Sequence, residues 1–126
     1  NGHISKSDHP KVFGIRHEQP YIQTDFAESQ VELITTPENS ERDVLRILNA
    51  VHEVTLKNMP ADEFIWPLSI PAILPDESEI RVAQFEKKSD VEYREYLVKK
   101  YGKYKQMVSG IHYNFQLDDK FMEKVA

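Results

Sequence analysis

Residues Gln106–Leu117, QMVSGIHYNFQL, alternate with period two. Side chains on a β-strand point to opposite faces with that period, whereas a helix repeats near 3.6 residues. Met107, Ile111, Tyr113, Phe115 and Leu117 therefore share an apolar face, interrupted only by Ser109. Gln106, Val108, His112, Asn114 and Gln116 share the other, with a gap at Gly110. Such a segment calls for an antiparallel sheet, one face packed and the other open to water or to a ligand.

The rest of the chain supplies helices to cover that sheet. Ser40 is placed as an N-cap, with Glu41 and Asp43 in the first turn, where carboxylates suit the positive end of a helix. Val44, Leu48 and Val51 recur at helical spacing, and Pro60 stops the helix near Asn58. A second helix is predicted over DVEYREYLVKKYGKY, with Tyr93, Leu97 and Tyr101 on its core face, Arg94 on its surface and Gly102 at its end. DDKFMEKVA forms a final helical turn or two, capped by Asp118 or Asp119. Gln30–Thr36 alternates and is rich in β-formers, which predicts a strand. Shorter strands are expected near Val12–Ile15 and Ile80–Phe85. Prolines 60, 67, 71 and 75 keep the stretch ADEFIWPLSIPAILP extended and irregular, with Trp66 as a packed anchor. With no repeat and no composition break, residues 1–126 form one unit of the α+β class.

Composition narrows the function. The net charge of −5 argues against a nucleic-acid partner, which needs a basic face. There is no cysteine, which fits a reducing cytoplasm. The most apolar run, FIWPLSIPAILP, is too short and too broken by proline to cross a bilayer, so no membrane partner is expected. No glycine-rich phosphate-binding motif of the dinucleotide or P-loop kind is present.

Among polar residues, His112 is either a half-buried histidine bonded to a backbone carbonyl or a ligand for a metal or polar substrate. Gln106 and Asn114 share its face, and amides suit an amino acid's carboxylate and ammonium groups. Glu32 lies opposite Val31 and Leu33, either as a solvent-facing carboxylate or as a second metal ligand. Asp25 is a turn cap or a third. Carboxylate-rich sites suit Mg²⁺ or Mn²⁺.

Three blocks go further together: YIQTDFAESQVELIT, IWPLSIP and YREYLVKKYGKYKQMVSGIHYNF. In order and spacing they resemble the bacterial glutamate–cysteine ligases, both stand-alone forms and those fused to a glutathione synthetase domain. The likeness runs over nearly the whole chain. It implies an antiparallel sheet of the glutamine synthetase kind with flanking helices. It also implies ATP-dependent ligation of L-glutamate, through its γ-carboxylate and an acyl phosphate, to L-cysteine. Mg²⁺ or Mn²⁺ would neutralise the phosphates. Position by position, the resemblance makes Glu32 and His112 metal ligands and sets Asp25 at the edge of the same site. It places Phe26, Tyr93 and Leu97 around the cysteine pocket, and Arg94, Gln106 and Asn114 around glutamate and the metal.

The family's first strand carries a Glu-x-Glu pair that is expected just upstream of Asn1, and further ligands and much of the ATP site are expected beyond Ala126. The chain is thus expected to be part of an N-terminal catalytic domain, inactive alone, with strand edges open to self-association. Two other readings stand beside this one: a relative joining glutamate to another amine, and a non-catalytic binding or assembly domain on the same scaffold.

Overall fold

Local signals account for the helices. In the computed structural model, which describes residues 2–71 and 73–125, helix α1 runs Glu41–Asn58. The Ser40 hydroxyl accepts the Asp43 amide and donates to the Asp43 carboxylate. Val44, Ile47, Leu48, Val51 and His52 are half-buried, and Thr55 is fully buried, so one stripe of the helix faces inward as its spacing dictates. His52 is structural, its Nδ1 3.0 Å from the Leu48 carbonyl oxygen.

Helix α2 spans Lys88–Tyr101 and stops at Gly102, whose amide donates to the Val98 carbonyl. Gly102 has φ +77° and ψ 166°, a region open essentially to glycine alone. A Cβ there would lie 3.1 Å from Glu77 Oε1, which accepts the Lys103 and Tyr104 amides. Gly102→Ala is therefore expected to cost about 1–3 kcal/mol of stability, read as a lower denaturant midpoint with an unchanged slope. The final helix, α3, covers Asp119–Val125, and the Asp118 carboxylate accepts the Lys120 amide at its start.

Two short strands, β1 (Ile22–Thr24) and β2 (Val31–Leu33), pair antiparallel. Ile22 stands opposite Leu33, Gln23 opposite Glu32 and Thr24 opposite Val31, and α1 packs against β2. The turn between the strands carries Phe26 and Ala27 into the core beside Ile80 and Met107, ringed by Ile4, Leu74, Val82, Leu97 and Val98. Burying a side chain the size of Phe26 contributes about 1.5–3 kcal/mol. Residues 81–83 lie against the same turn: the Ala83 amide donates to Phe26, the Glu28 amide to Arg81, and Ala27 forms an antiparallel bridge with Val82. The α+β class and the antiparallel pairing agree with the sequence. No helix among the described residues is long and apolar enough to cross a membrane.

Several expected elements differ. Residues 106–117 form no strand: a 3-10 turn covers Tyr104–Met107, and no ladder follows. A strand needs a hydrogen-bonded neighbour, and among the described residues the backbone bond holding this stretch is Ser109 N–H to the Ser69 carbonyl, 2.9 Å. Ile111, Tyr113 and Phe115 are consequently more than 80% exposed. Lys11–Phe13 forms a 3-10 turn instead of a strand, closed by the Gly14 amide on the Lys11 carbonyl. The strand expected over Gln30–Thr36 shrinks to three residues, and that over Ile80–Phe85 to the single bridge at Val82. Trp66 is exposed rather than anchored, its Nε1 donating to the Ile70 carbonyl. On α2 the inward stripe is Val91, Arg94, Leu97 and Val98, while Tyr93 and Tyr101 are exposed. The stripe rotates because the Arg94 side chain can lie along the protein with its charged end satisfied by carbonyls.

Candidate functional site

Arg94 is the centre around which most of the candidate residues gather. It rises from the first half of α2 toward the β1–β2 turn, and it is half-buried instead of exposed. Its Nε donates to the Asp25 carbonyl at 2.7 Å and its Nη1 to the Asp90 carbonyl at 3.0 Å. Its guanidinium carbon stands 4.0 Å from the centroid of the Phe85 ring. Burial lowers the Arg94 pKa by disfavouring the cation, and the nearby charges of Asp25, Asp90, Glu32 and Tyr93 oppose that fall. Asp25 and Glu32 thus lie close enough to Arg94 to act on its charge.

The backbone explains this grouping. The β1–β2 pairing places Glu32 across from Gln23, and the intervening turn sets Asp25 and Phe26 against α2. Phe26, 3% exposed, and the half-buried Leu97 pack in one hydrophobic cluster, whereas Tyr93, next to Arg94 on α2, is exposed. The side chains of Asp25 and Glu32 make no hydrogen bond to any described residue. Their carboxylates are available to a cationic ligand or a metal ion.

Gln106 joins from a distance. Gln30, buried at the end of the turn, donates to the Gln106 carbonyl and to Ser109 Oγ while accepting the Ala27 amide. That bridge ties the start of the 106–117 segment to the β1–β2 turn. His112 and Asn114 lie farther along and are exposed. The His112 ring packs near its own chain at Gly110. Among the described residues no three histidine, aspartate or glutamate side chains converge. The donors needed by a divalent ion are present as separate groups and do not form a closed chelating set.

A second cluster gave no signal in the sequence. Arg16 and Glu28 form an ion pair with both side chains buried. Arg16 Nη2 reaches both Glu28 oxygens, at 3.0 and 2.9 Å, and Nη1 donates to the Gln84 carbonyl. Glu28 also accepts the amides of His9 and Gln84. The pair lines a cleft of about 290 Å³ with Asp8, His9, Lys11, Arg81 and Glu86. Burial, then the neighbouring Arg16 charge, lowers the His9 pKa by disfavouring the cation, while Glu28 and Glu86 oppose that fall. Glu28 stands in the turn between β1 and β2, and its burial against Arg16 has no local mark in the sequence.

The comparisons with known proteins converge. A family model described as glutamate-cysteine ligase matches residues 1–126. The glutathione biosynthesis bifunctional protein GshAB of Mannheimia succiniciproducens is 62% identical over 123 residues, 98% of this chain and 16% of that protein. A bifunctional glutathione synthetase from Pasteurella multocida superposes with a TM-score of 0.92 at 56% identity, over 98% of this chain and 16% of the other. The glutamate–cysteine ligase of Francisella tularensis, solved in complex with AMP, superposes with a TM-score of 0.91 at 33% identity, over 98% of this chain and 26% of the other. The chain therefore spans well under a third of the length of these relatives.

Proposed function

Because the chain belongs to the glutamate–cysteine ligase family, we propose that residues 1–126 form part of the N-terminal catalytic domain of an ATP-dependent ligase acting in glutathione biosynthesis. The γ-carboxylate of L-glutamate attacks the γ-phosphorus of ATP, the bond to the β-phosphate oxygen breaks, and ADP leaves, giving an acyl phosphate. The amine of L-cysteine then displaces phosphate and forms the γ-glutamyl amide. The observation that carries this reading is the family match over the whole chain. The gathering of Asp25, Phe26, Glu32, Tyr93 and Leu97 about Arg94 supports it. The AMP bound by the Francisella relative is in keeping with an adenine nucleotide as co-substrate.

Each residue takes a role suited to its chemistry. The Arg94 guanidinium offers its unspent Nη2 and its charge to the glutamate carboxylate. Gln106 and Asn114 would offer neutral hydrogen-bonding groups to the substrate. Phe26 and Leu97 support the cysteine pocket from below, and Tyr93 borders it. Glu32 and His112, with Asp25 at the edge, would offer oxygen and imidazole donors to a divalent ion such as Mg²⁺ or Mn²⁺. The divalent ion supplies charge neutralisation of the phosphates. A cytoplasmic location, where ATP and both amino acids are at hand, accords with this role.

The amine is the open choice within the family's chemistry. Phosphate release by the full-length ligase, with ATP, glutamate and a panel of cysteine, alanine, serine and 2-aminobutyrate, is expected to show the highest kcat/KM for cysteine. A different best amine would replace cysteine in this reading. The 126-residue chain by itself is expected to release no phosphate in a manner dependent on both amino acids.

A further inference from the structure

Resting on the ligase reading, we propose that Phe85 is a positioning residue that holds the Arg94 guanidinium for the glutamate carboxylate. Phe85 is half-buried and stands outside the main hydrophobic cluster. Its ring takes two guanidiniums, Arg94 at 4.0 Å and Arg16 at 5.2 Å. Aromatic faces attract such cations through the ring quadrupole, most strongly where water is excluded.

The two arginines differ in what they have left to offer. Arg16, itself buried, spends Nη1 on the Gln84 carbonyl and Nη2 on both oxygens of Glu28, and its Nε is sealed from solvent. It is a fixed structural cation. Arg94 spends Nε on Asp25 and Nη1 on Asp90, both backbone carbonyls, while its Nη2 makes no hydrogen bond to a described residue. Two bonds to backbone carbonyls fix where the guanidinium sits, and the Phe85 ring lies beneath its central carbon. The unspent Nη2 is thus presented in one orientation, which a directed, charge-assisted contact to a carboxylate requires. Phe85 is itself held, since residues 81–83 are bonded to the turn that carries Asp25 and Phe26. Arg16, on the same ring, completes the support.

The alternative role for Phe85 is simple space-filling, which leucine would serve as well. Phe85→Leu and Phe85→Tyr, made in the full-length ligase, separate the two. The Leu variant is expected to raise the KM for glutamate about tenfold, leaving the KM for cysteine within about twofold. The Tyr variant, which keeps the aromatic face, is expected to restore the glutamate KM. An active enzyme whose glutamate KM is unmoved by Phe85→Leu, or equally impaired by both changes, would overturn the proposal and leave the ligase reading intact. So would a collapse of the melting transition with all kinetic constants falling together, which would assign Phe85 to folding. Absence of glutamate ligation in the unsubstituted protein would remove the ligase reading and the proposal with it.

Discussion

Glu28→Ala is expected to lower the unfolding free energy by about 3–5 kcal/mol, the cost of leaving a buried charge without its partner. Glu28 holds together three stretches of chain distant in sequence. Its carboxylate accepts from Arg16, from the His9 amide at 2.8 Å and from the Gln84 amide at 2.6 Å. The Arg16 and Glu28 side chains are 7% and 4% exposed. Removing the carboxylate strands a desolvated guanidinium and orphans two backbone amides, each a penalty of its own. Domains are stable by only about 5–15 kcal/mol, so the loss is a large share of the whole. Glu28→Gln keeps the shape and an acceptor oxygen, and its cost is expected to be smaller but still clear. Denaturant unfolding followed by circular dichroism checks both. A midpoint shift equivalent to less than about 1 kcal/mol for the alanine variant, on the same scale, would mean that the pair is not part of the framework.

This pair also shows where the sequence stops being legible. Helix α1 was readable because its signals are local: Ser40 caps it, Glu41 and Asp43 suit its first turn, and Val44, Leu48 and Val51 mark its inner face. Gly102 was readable as a stop for the same reason, although its backbone lies in a glycine-only region and not in the left-handed helical one. Arg16 and Glu28 have no such mark. Their burial is decided by Gln84, far along the chain, closing over them. Arg94 was misjudged as a surface charge because the groups that admit it, the Asp25 carbonyl and the Phe85 ring, come from other segments.

The alternation in residues 106–117 teaches a different lesson. Period-two patterning reports which side chains suit a sheet, but a strand also needs a neighbour to bond with. Among the described residues Gln30 and Ser69 hold the beginning of the segment, and Ile111, Tyr113 and Phe115 then stand in solvent. Gln106 is tied to the turn beside Arg94, while His112 and Asn114 are not brought to it. Of the candidate residues, those on β2, the β1–β2 turn and α2 assemble because short-range pairing and core packing place them.

If this chain contributes one wall of a metal-assisted ligase site, ligation by the full-length enzyme carrying Glu32→Gln or His112→Ala is the decisive readout. Both side chains are exposed, and neither bonds to a described residue, so substitution leaves the fold alone. Glutamine keeps the size of Glu32 but lacks the charge that a hard divalent ion prefers, and alanine removes the imidazole donor. Perturbing even the outer partners of a metal ligand typically costs 10–100-fold, so each variant is expected to lose at least about 100-fold in glutamate- and cysteine-dependent phosphate release at fixed Mg²⁺. The Mg²⁺ concentration giving half-maximal rate is expected to rise, and the melting temperature to stay within a degree or two. Rates within about twofold of the unsubstituted enzyme for both variants, with an unchanged Mg²⁺ dependence, would contradict the account.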